Sequence, residues 1–200
     1  MKIIGLTGGS GAGKGIVGSF FRSLGCYVID TDMLYHSMIN TDSECSRAII
    51  SYFGDSVSLD NGGIDRRALA EIVFGSSEKL SYLNTIAHGY VKSACDVIIE
   101  RERNKGTQVL VVDAPQLFEA EMDKICDATV AVICDKNTRI SRICKRDSIS
   151  SFQAFARIAA QHTDAFFCEK CDFVIENNSD VARLLAKVKK VYDRIKELDR

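Results

Sequence analysis

Apolar positions along the chain fall into short unbroken runs separated by stretches with helical spacing. Lys2-Ile3-Ile4-Gly5-Leu6 passes straight into glycines, Cys26-Tyr27-Val28-Ile29 delivers Asp30-Thr31-Asp32, and Val109-Leu110-Val111-Val112 ends in Asp113. Ala128–Ile133 and Phe173-Val174-Ile175 are two further runs. Runs this short, apolar at successive positions, predict strands buried on both faces, as in a parallel sheet. Ile16, Val17, Phe20, Phe21 and Leu24 recur at helical intervals, and Gly25 is placed to stop that helix. Basic helices are expected over 136–147 and 151–161. The closing stretch sets Val181, Leu184, Leu185, Val188, Val191, Tyr192, Ile195 and Leu198 on one predicted core face, about five turns long. Alternation of strands and helices predicts an α/β fold, an open parallel sheet covered on both faces, with ligands beyond the strands' carboxyl ends. From about 33 to 104 no run suggests a strand. That segment is expected to be a helical insertion, interrupted by the turns at Leu59-Asp60-Asn61-Gly62-Gly63 and Gly75-Ser76-Ser77.

Composition narrows the possibilities without choosing among them. A chain of 200 residues suits one domain with small insertions. The formal net charge of −1 provides no global field for nucleic acid or an anionic membrane, so any phosphate-binding surface has to be local. Neither a long apolar span nor a signal-peptide core is present in the sequence, so a cytoplasmic protein is expected. In that setting the eight cysteines are expected to be reduced, with Cys95, Cys134 and Cys144 falling inside apolar periodic segments.

The chemistry concentrates in Gly8-Gly9-Ser10-Gly11-Ala12-Gly13-Lys14. A phosphate needs several backbone N–H groups aimed at one point and backed by a helix N-terminus, a conformation open chiefly to residues without Cβ. The spacing is that of G-x-x-x-x-G-K, after a predicted strand and before a predicted helix, which predicts a nucleotide site with Lys14 at the β- and γ-phosphates. Gly9, Ser10, Gly11, Ala12, Gly13, Lys14, Gly15 and Ile16 are its expected ATP-binding residues. The motif departs from its usual form at Gly15, where a Ser or Thr hydroxyl would ligate Mg²⁺. Magnesium keeps several of its waters, so it is expected to be held indirectly, with Asp113 as the carboxylate that steadies it. Asp30 and Asp32, two apart in an extended segment, would share a face, and Asp32 is a candidate general base; its alternative role is helix N-cap. Cys168-x-x-Cys171, with Cys144 and His162, is a weak zinc pattern because no second pair has matched spacing.

The chain resembles the dephospho-coenzyme A kinases over nearly its whole length. The likeness lies in Gly5-Leu6-Thr7-Gly8-Gly9, Val28-Ile29-Asp30-Thr31-Asp32, Ile64-Asp65-Arg66-Arg67-Ala68-Leu69, Leu83-Asn84 with His88, and Pro115-Gln116-Leu117-Phe118-Glu119. It continues through Arg142, Arg146-Asp147, Arg157-Ile158-Ala159-Ala160-Gln161 and Asp172-Phe173-Val174-Ile175-Glu176-Asn177. Gly89 stands where the family usually has proline, and 162–167 is poor in the arginines its lids carry. The resemblance implies a three-layer P-loop kinase fold with a central parallel five-stranded sheet. Its core would comprise about 1–32, 105–136 and 166–200, its helical substrate-binding insertion about 33–104 and its small helical lid about 137–165. ATP and dephospho-coenzyme A would be the substrates, with Mg²⁺ accompanying ATP, in a monomer or small homo-oligomer. By the same likeness Asp32, Lys14 and Arg142 would be catalytic. Thr7, Asp32, Arg66, His88 and Glu119 would serve the acceptor, and Arg142 and Asn177 the ATP, with Asn177 near the adenine. Another small-metabolite kinase, such as a nucleoside monophosphate kinase, or a non-catalytic nucleotide-binding protein would share the glycine loop but not this whole set.

Overall fold

The computed structural model describes residues 1–198. Its sheet has five strands, β1 (Lys2–Thr7), β2 (Tyr27–Asp30), β3 (Val109–Asp113), β4 (Ala128–Ile133) and β5 (Phe173–Glu176), in the order β2-β3-β1-β4-β5. β1 runs parallel to β3, with Leu6 opposite Asp113, and to β4, which in turn runs parallel to β5. The loop after β1 therefore leaves the sheet centre at the carboxyl edge, flanked by the ends of β3 and β4. That is the crevice where ligands collect in open parallel sheets.

One sheet face carries Ile4, Leu6, Val109, Val111, Val130 and Val132. It is covered by Val17 and Phe21 of α1 (Lys14–Ser23) and by Leu184, Val188 and Ile195 of α9 (Val181–Lys196). Burying each such aliphatic side chain contributes about 1.5–3 kcal/mol, so this layer anchors the loop at the head of α1. On the other face Gly5 leaves a hollow filled by Leu117 and Cys126; a Cβ there would meet them at 2.8 and 2.9 Å. Ala131 and Val174 pack beside it against Phe167 of α8 (Asp164–Lys170). The predicted apolar face of α9 is narrower than its spacing suggested, because Val181 and Leu185 are exposed. The helix is 16 residues long, starting at the Asp180 cap.

By compactness the chain divides into Met1–Ile29 with Arg101 onward, and Asp30–Glu100. The second unit is built from α2 (Thr31–Ile39), α3 (Glu44–Phe53), α4 (Arg66–Val73) and most of α5 (Ser77–Asn104), around Ile39, Cys45, Ile49, Val57, Ile64 and Leu69. In the first unit, α6 (Lys136–Asp147) and α7 (Ser151–Ala159) share a small core of Ile143, Ala154 and Ile158. Arg157 pairs with Asp147, which also binds Arg146, and these bonds hold the Asp147 carboxyl down to about 2. All eight cysteines are free thiols, and burial pushes Cys26, Cys45 and Cys171 up to about 11 and Cys95 to about 12. Cys171 is the C-cap of α8 and lies outside β5. Among the described residues no helix is long and apolar enough to cross a membrane.

Candidate active site

The glycine loop takes its shape from what lies behind it. Gly13, the N-cap of α1, has φ 98° and ψ 25°, a left-handed conformation that costs a residue with Cβ roughly 1–2 kcal/mol. A Cβ there would also collide with the amide of Asn177. Ala12 N–H donates to Gly9 O at 3.1 Å, and Ser10 N–H donates to Gln161 Oε1 at 2.9 Å. No acceptor among the described residues takes the N–H of Gly11, Gly13, Lys14 or Gly15. These groups, at the positive end of the α1 dipole, are the cradle an anion requires.

Lys14, in the first turn of α1, is ion-paired with Asp113 at the end of β3. Asp113 is only 4% exposed, and Gly18 admits its carboxylate to within 3.3 Å of where a Cβ would stand. Parallel register fixes this pairing, because Leu6 and Asp113 lie side by side and the loop starts two residues further on. Among the described residues no group of three or more His, Cys, Asp or Glu side chains is arranged around a metal position, the Cys168 and Cys171 pattern included. One carboxylate beside a phosphate cradle does fit an ion that keeps most of its waters.

Arg142 and Asn177 lie against the outer side of the loop. Arg142 NH1 donates to Gly11 O at 3.2 Å and Ala12 O at 3.3 Å, and NH2 to Asn177 O at 3.4 Å. Asn177 Nδ2 donates to Ala12 O at 2.8 Å. At 2% exposure Asn177 braces the loop from beneath. Arg142 likewise binds loop carbonyls here. Thr7 is fully buried with Oγ1 donating to Pro115 O at 3.2 Å. Glu119 Oε1 lies 3.2 Å from His162 Nε2, and the His162 ring stacks on Phe166 with centroids 3.8 Å apart. The arginine-poor stretch at 162–167 is therefore an aromatic and ion-paired segment leading into α8.

Asp32, Arg66 and His88 belong to the second unit. Here an expectation fails: Asp30 and Asp32 do not share an extended face. Asp30 ends β2 and caps α2, its carboxylate accepting from Met33 N at 3.0 Å. Asp32 is already helical, about 200° around the axis from Asp30 at 100° per residue. Because Asp30 performs the capping, Asp32 keeps an exposed carboxylate in the first turn. Arg66 opens α4 after the Asp65 cap and is exposed. Burial and Cys45 push the Tyr35 phenol up to about 12, against the pull of Arg66. His88 is half-buried midway along α5, and α5 runs unbroken through Gly89, where nothing crowds a Cβ.

Two residues given no role from the sequence prove central to the loop, Arg139 and Gln161. The available signal was the three-residue spacing of Arg139 and Arg142, which puts both on one face of α6.

Residues 2–183 match the family model described as CoaE, dephospho-CoA kinase. A dephospho-CoA kinase of Fusobacterium nucleatum is 38% identical over 195 residues, 98% of this chain and 99% of that protein. Among solved structures, TT1252 from Thermus thermophilus has a TM-score of 0.82 at 27% identity, covering 96% of each chain. A dephospho-CoA kinase from Campylobacter jejuni has a TM-score of 0.72 over 98% of each chain; at 24% identity this likeness speaks to the fold alone.

Proposed function

The chain belongs to the dephospho-CoA kinase family, and from that premise we propose how its residues divide the transfer of the ATP γ-phosphate to the ribose 3′-hydroxyl of dephospho-coenzyme A. The observation that carries this division is the set of unengaged amides of Gly11, Gly13, Lys14 and Gly15, closed on one side by Lys14 and Asp113. ATP phosphates occupy that cradle, and Lys14 leaves Asp113 for the β- and γ-oxygens as they arrive. Asp113 would be the residue that holds Mg²⁺ there, and the ion would supply charge neutralisation at the phosphates. The Asp30–Glu100 unit is the dephospho-coenzyme A side, with Asp32 as the base toward the 3′-hydroxyl and Arg66 and His88 as acceptor-side groups. Residues 137–165 act as the lid. Arg142 supports the loop and adds positive charge behind it, where transferring phosphate gathers negative charge. The setting is the cytoplasm.

ADP release should be fastest with dephospho-coenzyme A when it is compared with nucleoside monophosphates and shikimate as acceptors. Equal or better turnover with any of the others would overturn the assignment of acceptor.

Gly15 offers a second check. It is exposed at the head of α1 with nothing within 4 Å of a built Cβ. Gly15→Ser is therefore accommodated, and it restores a hydroxyl next to Lys14. Helix propensity alone should raise stability by about 0.5 kcal/mol. The variant is expected to reach half-maximal rate at a several-fold lower Mg²⁺ concentration. An unchanged Mg²⁺ titration would mean that the ion is held away from position 15.

A further inference from the structure

Ser10 occupies the crown of the phosphate loop, and its backbone and hydroxyl are all held by two side chains from the segment following β4. Gln161 Oε1 accepts from Ser10 N–H at 2.9 Å, and Gln161 Nε2 donates to Ser10 Oγ at 3.2 Å. Arg139 Nε donates to Ser10 O at 2.9 Å. The two are joined to each other, Arg139 NH2 to Gln161 Oε1 at 3.4 Å, and Arg139 NH1 reaches Asp164 Oδ1 at 3.2 Å. Arg139 is 4% exposed, so its planar fork has no alternative position in water.

We propose that Arg139 and Gln161 are positioning residues for the phosphate loop: together they template Ser10, and through it the cradle, before ATP arrives. Three observations support the proposal. Gly9 has no Cβ because one would strike the Arg139 guanidinium, whose bonds prevent it from yielding. A Cβ on Gly11 would come within 2.7 Å of Arg139 O, so the backbone of α6 bounds the loop as its side chain does. Finally, the Ser10 N–H is spent on Gln161, which fixes the direction in which the following N–H groups can point. A loop without this template has to be ordered by the phosphates themselves, and that entropy is subtracted from ATP affinity. Asp164 and Gln161 lie on either side of the turn into α8, so Arg139 also ties that turn to the loop.

The proposal rests on the loop being the ATP site, and the experiment keeps the two apart. Gln161→Ala removes a half-buried side chain at a turn and should fold normally. Arg139→Lys preserves the charge but loses the fork that bonds Ser10, Gln161 and Asp164 together. ATP affinity by calorimetry, KM for each substrate, and amide exchange over residues 8–14 are measured for both variants and the parent chain. Each variant is expected to weaken ATP binding by about 10- to 30-fold, the scale of two lost hydrogen bonds. KM for dephospho-coenzyme A should be unchanged, and exchange should quicken over the loop while the strands stay protected. ATP affinity within about two-fold of the parent for either variant overturns the proposal. So does equal loss for both substrates with exchange quickened throughout, which would mean plain loss of structure. A parent chain that fails to bind ATP would refute the loop reading itself, before either variant is considered.

Discussion

Asp32→Asn is expected to lower kcat by about 10²- to 10⁴-fold, the contribution of a positioned general base. The replacement has nearly the same shape and keeps an oxygen, but it cannot take the proton from the 3′-hydroxyl. Structural side effects should be small, because Asp30 supplies the cap and Asp32 is exposed in the first turn of α2. Losing one anion at a helix N-terminus costs about 0.3–1 kcal/mol, so the melting temperature should fall by only a few degrees. Affinity for ATP, whose proposed cradle belongs to the other unit, should be kept. If proton acceptance is the whole role, kcat and kcat/KM fall in parallel and KM for dephospho-coenzyme A hardly changes. Turnover near that of the parent would remove Asp32 from catalysis and leave it as a partner of the helix dipole.

Lys14→Met should combine two losses that a second substitution can separate. Charge at the transferring phosphate disappears, and kcat should fall by at least about 10²- to 10³-fold, as when a single preorganised electrostatic donor is removed. Asp113, 4% exposed, is also left without its cationic partner. Stranding one member of a fully buried ion pair costs about 3–5 kcal/mol; with the Lys14 side chain 18% exposed, the cost here should lie at or below the lower end. Adding Asp113→Asn to Lys14→Met removes the stranded charge. The double variant should recover most of the lost melting temperature and none of the activity. If activity returns along with stability, Lys14 is structural and the charge that drives transfer comes from elsewhere.

What the sequence revealed followed from how local its causes were. The strand, glycine loop and α1 were legible because each depends on neighbours within a few residues: apolar runs, residues without Cβ, and helical spacing ended by Gly25. Asp113 was legible by position, at the end of an apolar run. Arg139 and Gln161 were not, because their partner Ser10 lies 129 and 151 residues away in sequence. Only the strand order brings them together. Asn177 was found through family likeness, which gives the position of a residue without showing which way its amide is turned. The Asp30 and Asp32 error lay in where the strand stops: extended backbone ends at Asp30 instead of continuing through Asp32, and two carboxylates that an extended chain would align are separated by a helix start. On α9 the apolar spacing was regular, yet Val181 and Leu185 extend past the edge of the layer they were expected to cover.

The central position of β1 has a consequence for how the chain is made. Both of its neighbours, β3 and β4, come from residues 109–133, so β1 is synthesised before either of its partners. The loop that follows it is shaped by Arg139, Gln161 and Asn177, the last 165 residues beyond the Ala12 carbonyl it holds. Pairings this distant form late and slowly, so a nascent chain carries its nucleotide-binding motif well before the residues that shape it are in place.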